Sequence, residues 1–189
     1  MARGPTREVL RSGVRGTIPG DQKIVTLAGL LARLGPRRTA GERVVFTNGC
    51  FDLLHRGHVR YLAAAAELAE ILVVGLNSDA SVRALKEPGR PLVPQAGRAE
   101  VLAALACVDF VTIFDQPTAA GLIEAIRPEV YVKGGDYAER QPPEAALACA
   151  LGGEFRALPL VAGSSTSELV RRIRVTGPCS SGDGAPLKP

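Results

Sequence analysis

From residue 43 onward the chain alternates short β-rich runs with segments of helical length, and few folds accommodate that alternation. The runs are RVVFTN, EILVVGL, DFVTIF, EVYVKG and EFRALPL. Between and after them lie helical segments near residues 57–69, 79–86, 97–107, 118–126, 142–151 and 166–175. Parallel neighbours need a crossover, usually a helix, so this alternation predicts a parallel sheet. ILVVGL is apolar without a break, as a strand covered on both faces must be. Right-handed crossovers then give an α/β fold, a Rossmann-like three-layer α/β/α sandwich around a five-stranded parallel sheet. Ahead of the first strand, Ile24, Leu27, Leu30, Leu31 and Leu34 form one apolar stripe. That spacing predicts a packing helix over residues 24–34, stopped by Gly35 and Pro36.

With 189 residues, 46% apolar and 22% charged, the chain suits one domain with a sizeable core; disordered, collagen-like and disulfide-scaffold classes are excluded. Residues 23–176 read as that domain, between a flexible basic arm (1–22) and a flexible Gly/Pro/Ser-rich tail (177–189). The longest apolar stretch, 59–76, is interrupted by Arg60, Glu67 and Glu70, so no membrane span is expected. The first residues lack an apolar signal core, which points to the cytoplasm. Cys50, Cys107, Cys149 and Cys179 stand far apart with no CxxC pair, against both a zinc site and a disulfide framework. The net charge of +4 and a pI near 9.1 would suit nucleic acid, but 4% aromatics and no Trp leave little to stack bases on. A small anionic substrate fits the balance better.

In such a sheet ligands bind beyond the carboxyl ends of the strands, near the point where strand order reverses. Neither a GxGxxG fingerprint nor a GxxxxGK[ST] loop occurs, so dinucleotide oxidoreductases and P-loop NTPases lose their main support. Instead the chain's two histidines fall in one four-residue segment, His55-Arg56-Gly57-His58, directly after the first strand. At i, i+3 on a helix's first turn the imidazoles share a face, Gly57 lets a ligand approach the backbone, and free N–H groups add positive potential. Such preorganised donors suit a phosphorus whose negative charge grows in a transition state.

Lys86 and Arg98 flank EPGRPLVPQAG, a Pro- and Gly-rich loop, and two cations at its edges suit a triphosphate; Arg90 between them could serve substrate or surface. VKGGDY follows the fourth strand, where Gly134 and Gly135 permit a tight turn and Lys133 and Asp136 are either ligand contacts or parts of that turn. GSSTS at 163–167 opens the last helix, as a phosphate site or an ordinary cap. Asp52, three residues before His55, is placed to cap the helix or to orient an imidazole. Cys50 reads as packing rather than as a nucleophile.

TNGCFDLLHRGHVRYL, VVGLNSD, LKEPGRPLVPQAGRAEVL, VDFV, VKGGDY and GSSTSELV, in that order, resemble the cytidylyltransferase-like nucleotidyltransferases of HxGH type. Over about residues 24–175 the chain is most similar to the branch that adenylylates D-glycero-β-D-manno-heptose 1-phosphate, a domain often fused behind a sugar kinase. The resemblance implies a Mg²⁺-assisted reaction in which the sugar 1-phosphate attacks the α-phosphorus of ATP, giving an ADP-sugar and pyrophosphate. It implies that His55 and His58 donate to phosphate oxygens, without acting as general bases, and that Lys86 and Arg98 hold phosphates. It further places Thr47, Asn48, Gly49, Cys50, Phe51, Gly57, Lys133, Gly134, Asp136, Ser165, Thr166 and Ser167 against the nucleotide, with no metal ligands of the protein's own. A homodimer and no nucleic-acid or membrane partner complete the expectation. The chain departs from the family at Ser164 and Ser167, where an aromatic residue and Thr are usual. It has LVAG at 160–163 where cytidylyl-transferring members carry RTEG. Transfer from CTP to a polyol phosphate or other sugar phosphate, and a non-catalytic nucleotide-binding regulator, are the alternatives.

Overall fold

The computed structural model describes residues 20–135, 141–159 and 166–175. Its centre is a five-stranded, all-parallel sheet of β1 (Val44–Gly49), β2 (Ile71–Asn77), β3 (Phe110–Phe114), β4 (Val130–Gly134) and β5 (Glu154–Leu158), in the order β3-β2-β1-β4-β5. The chain steps outward from β1 through β2 to β3, then returns to the other side of β1 to begin β4. Strand order therefore reverses between β1 and β4, and the carboxyl ends of those two strands open the crevice such sheets use for ligands.

Alternate residues of each strand feed two separate cores. Val45, Leu72, Val74, Val130 and Val132 pack with Leu62 and Ala65 of α3 (Arg56–Ala66) and with Ala99 and Leu102 of α5 (Gln95–Ala104). Val44, Phe46, Ile71, Val73 and Tyr131 pack with Leu30 and Leu34 of α2 (Leu27–Thr39), Leu122 and Ile123 of α6 (Ala120–Ile126), and Ala145 of α7 (Pro143–Ala150). All seven residues of β2 are buried, which explains its unbroken apolar run. At about 1.5–3 kcal/mol for each large aliphatic side chain, these two faces outweigh any local propensity. The remaining helices are a single turn, α1 (Gly20–Lys23), together with α4 (Asp79–Leu85) and α8 (Thr166–Val175).

The first packing helix departs from its predicted bounds at both ends. It starts at Leu27, because the Thr26 hydroxyl accepts the Gly29 N–H at 3.2 Å and caps it there. Ile24 instead bridges Val111 of β3, and Val25 donates its N–H to the Val111 carbonyl at 2.9 Å. At the other end the helix runs through Gly35 and Pro36 to Thr39. Arg38 anchors the extra turn by donating to the carbonyls of Ile126 at 2.6 Å and Arg127 at 2.7 Å, which offsets the bond that Pro36 cannot make. Upstream, Lys23 is buried and donates to the Leu105 carbonyl at 3.1 Å. Residues 1–19 of the expected arm and 176–189, which hold the expected tail, lie outside the described residues.

Candidate active site

The carboxyl ends of β1 and β4 are tied together by side chains. Asn48 accepts the Tyr131 hydroxyl on its Oδ1 at 2.9 Å, and its carbonyl accepts the Lys133 ammonium at 3.0 Å. Burial pushes the Lys133 amine below its ordinary range, with Glu144 and Cys50 pulling the other way. Thr47 is fully buried, with its hydroxyl 2.6 Å from that of Tyr61, which itself donates to the Val132 carbonyl at 3.1 Å. The Thr47 side chain thus belongs to the core, which leaves its backbone as the part that can meet a nucleotide. Tyr61 and Tyr131 had no signal beyond lying on apolar faces, yet they hold the floor of the crevice.

Beyond β1 the backbone folds back sharply. Phe51 adopts φ 44, in the left-handed region that a non-glycine residue enters at a cost of about 1–3 kcal/mol. Its ring lies so close to Gly49 that a Cβ there would stand 3.1 Å from it. The same ring meets His58 edge-on, with centroids 5.3 Å apart. The kink leads within four residues to His55 at the start of α3.

His55 is the N-cap of α3 and accepts the Gly57 N–H on Nδ1 at 3.1 Å. That bond fixes the neutral tautomer, with the proton on Nε2. It also occupies the Gly57 N–H, so Gly57 offers a ligand room beside the backbone rather than a donor. One turn on, His58 stacks on His55 with centroids 3.9 Å apart and planes 23° from parallel. Burial lowers the His55 pKa; burial and then the charge of His55 push His58 down to about 4. His58 Nδ1 is buried with no hydrogen-bond partner among the described residues. At neutral pH the pair is therefore two uncharged donors on one helix face, which can bond phosphate oxygens and gain charge as negative charge arrives.

Arg98, expected at phosphates, is turned inward. It is 2% exposed. Its guanidinium donates to the Val93 carbonyl at 2.9 Å, to the Asn77 carbonyl at 2.9 Å, to the Cys50 carbonyl, and to Asp79 Oδ1 at 2.7 Å. Four of its five N–H groups are so engaged that it is a hub joining the turn after β1, the end of β2, α4 and the loop before α5, rather than a free cation for phosphate. Lys86, at the end of α4, is exposed and near enough to Cys50 to act on its thiol. Burial of Cys50 outweighs its cationic neighbours and raises its pKa, leaving a neutral thiol unsuited to nucleophilic attack.

Asp52 neither caps α3 nor orients an imidazole. Its carboxylate accepts the N–H groups of Leu92 at 2.8 Å and Val93 at 2.9 Å and pairs with the Arg90 guanidinium at 2.8 Å. Sequence spacing could not show this, because the partners lie about forty positions away. From the other side, Thr166 of α8 donates to the Leu53 carbonyl at 3.3 Å, which brings the last helix against the histidine turn. Gly134 ends β4 beside Leu158. Asp136, Ser165 and the Ser167 side chain lie outside the described residues. Among the described residues no group of three or more His, Cys, Asp or Glu gathers to hold a metal ion. Nor is any described helix long and apolar enough to cross a membrane.

Residues 46–172 match the family described as Cytidylyltransferase-like, and the chain belongs to it, a nucleotidyltransferase enzyme whose paired histidines stand at the strand-order reversal. Over 154 residues the chain is 51% identical to the bifunctional protein HldE of Geotalea uraniireducens, covering 82% of this chain and 31% of that one. It is 52% identical over 154 residues to the bifunctional protein HldE of Halorhodospira halophila, covering 82% and 32%. The chain thus spans about a third of the length of these curated relatives. Among solved structures, the lipopolysaccharide core biosynthesis protein of Thermoplasma volcanium superposes with TM-score 0.53 at 23% identity, covering 64% of this chain and 98% of that one. Pantothenate synthetase of Thermus thermophilus does so with TM-score 0.53 at 19% identity, covering 74% and 62%. These two likenesses show a shared fold.

Proposed function

We propose that the protein transfers AMP from ATP to D-glycero-β-D-manno-heptose 1-phosphate, releasing pyrophosphate and forming ADP-heptose. The observation that carries the reading is the stacked, uncharged His55–His58 pair at the opening of α3, above the reversal between β1 and β4. Identity of 51–52% to bifunctional HldE proteins supports the choice of nucleotide and sugar.

In this reading an oxygen of the sugar 1-phosphate attacks the α-phosphorus while the bond to the pyrophosphate oxygen breaks. The attacking phosphate is already an anion, so no base is required. His55 and His58 donate to the oxygens on which charge grows, and Lys86 neutralises the triphosphate. Arg98 acts through position, holding the turn of Cys50 against the loop of Val93. Lys133 and Gly134 face the ribose and base, joined by Asp136, while Thr166 with Ser165 and Ser167 borders the phosphates. Mg²⁺ bound with ATP would add to the charge neutralisation that Lys86 supplies at the triphosphate. A cytoplasmic, homodimeric enzyme whose catalytic domain is residues 23–176 completes the proposal.

The test is Mg²⁺-dependent pyrophosphate release from ATP, CTP, GTP and UTP, each with both heptose 1-phosphate anomers and with polyol phosphates. Release confined to ATP and the β-anomer is expected. Turnover with CTP reassigns the substrates, and nucleotide binding without turnover with any acceptor turns the reading toward a regulator.

A further inference from the structure

A concavity of about 580 Å³ lies between α4 and the loop that precedes α5, on the carboxyl side of β2. Its walls include Asp79 and Arg83 of α4 and Glu87, Gly89, Arg90 and Leu92 of the loop. The histidines do not line it, yet it is joined to their turn through two ion pairs, each with one fully buried partner. Arg90 pairs with Asp52, whose carboxylate is 2% exposed, and Asp79 pairs with Arg98, which also holds the Cys50 carbonyl. The wall is therefore built before any ligand arrives, because Asp52 fixes the loop through the Leu92 and Val93 amides.

We infer that this concavity receives the hydroxyl-bearing part of the phosphorylated acceptor, an inference that rests on the sugar-phosphate reading of the site. Its volume lies within the 300–1,000 Å³ typical of small-molecule sites. Its chemistry mixes two guanidiniums with two carboxylates, which pair with vicinal hydroxyls as donors and acceptors, and sets Leu92 against the apolar edge of a sugar ring. Arg83 and Glu87 are exposed, whereas Arg90 and Asp79 are bound to their buried partners. Arg83 and Glu87 therefore select the acceptor, and Arg90 and Asp79 hold the wall. The polyol lies over α4 with its phosphate toward Lys86 and the histidine turn, so the acceptor enters from the β2 side while ATP occupies the crevice between β1 and β4.

The experiment is calorimetric titration of the full chain, saturated with a non-hydrolysable ATP analogue, with heptose 1-phosphate, glucose 1-phosphate and sorbitol 6-phosphate. It compares wild type, Arg83→Ala, Glu87→Gln and the control Glu124→Ala on the exposed face of α6. Arg83→Ala and Glu87→Gln should each weaken the best acceptor about tenfold or more, the loss of one charge-assisted hydrogen bond, and leave analogue affinity within about twofold. Amide exchange of residues 83–94 should slow when that acceptor is added. If wild type binds a sugar or polyol phosphate other than the heptose and the variants lose it, the concavity stands and the heptose assignment falls. Unchanged acceptor affinity in both variants, equal loss of analogue affinity, or no binding by wild type of any of the three acceptors overturns the inference.

Discussion

The imidazoles of His55 and His58 lie face to face with centroids 3.9 Å apart, too close for both to carry charge without repulsion. Burial of His58, and after it the charge of His55, make the folded chain resist a proton that the unfolded chain takes up readily. His58 ionises near 6.5 when unfolded and at about 4 when folded, so stability is complete above that window and is lost as pH falls through it. Urea midpoints at about pH 7.5 and about pH 5 should fall on acidification, and His58→Asn should fall less. Equal falls in the two proteins would show that His58 is not the group responsible.

The same pair sets the catalytic prediction. His55→Ala and His58→Ala should each lower kcat for pyrophosphate release by about 10²-fold or more, with unchanged far-ultraviolet dichroism. Near-normal turnover in both variants would remove the histidines from the chemistry.

Arg98 and Lys86 should separate stability from binding. Arg98→Ala strips Asp79 of its partner and three carbonyls of a donor, so it should cost about 3–5 kcal/mol in urea unfolding; Arg98→Lys, lacking the planar fork, should restore little of it. Lys86→Ala, at an exposed helix end, should change stability by no more than about 0.5 kcal/mol while weakening ATP binding. The opposite pattern would return Arg98 to the phosphates.

Thr47→Val removes a hydroxyl that stands 2.6 Å from that of Tyr61. It should cost about 1 kcal/mol of stability and leave the KM for ATP unchanged. A raised KM with unchanged stability would place Thr47 at the nucleotide after all.

Asp52→Asn should loosen the loop before α5 without touching the histidines. The amides of Leu92 and Val93, now bound to the carboxylate, should exchange faster with solvent while those of α3 keep their rates. Equal exchange in wild type and variant would deny the carboxylate its anchoring role.

What could be read in the sequence was what local pattern carries. The unbroken run of β2 announced a strand buried on both faces, and the spacing of His55 and His58 announced a shared helix face, because period and offset alone decide those. The exit of α2 could not be read, since Pro36 argues for a stop and only the grip of Arg38 on Ile126 and Arg127 overrules it. Motif spacing marked Lys86 and Arg98 alike as loop-edge cations; burial distinguishes them, leaving Lys86 in solvent and turning Arg98 inward.

The sequence by itself thus determined the parallel sheet and the placing of two histidines at its functional end, because both follow from residue order within one segment. Tertiary packing settles which polar side chains the scaffold already engages. Asp52, Thr47 and Arg98 find their partners 14 to 48 positions away, and a side chain's partners, not its type, decide what it has left to offer a substrate.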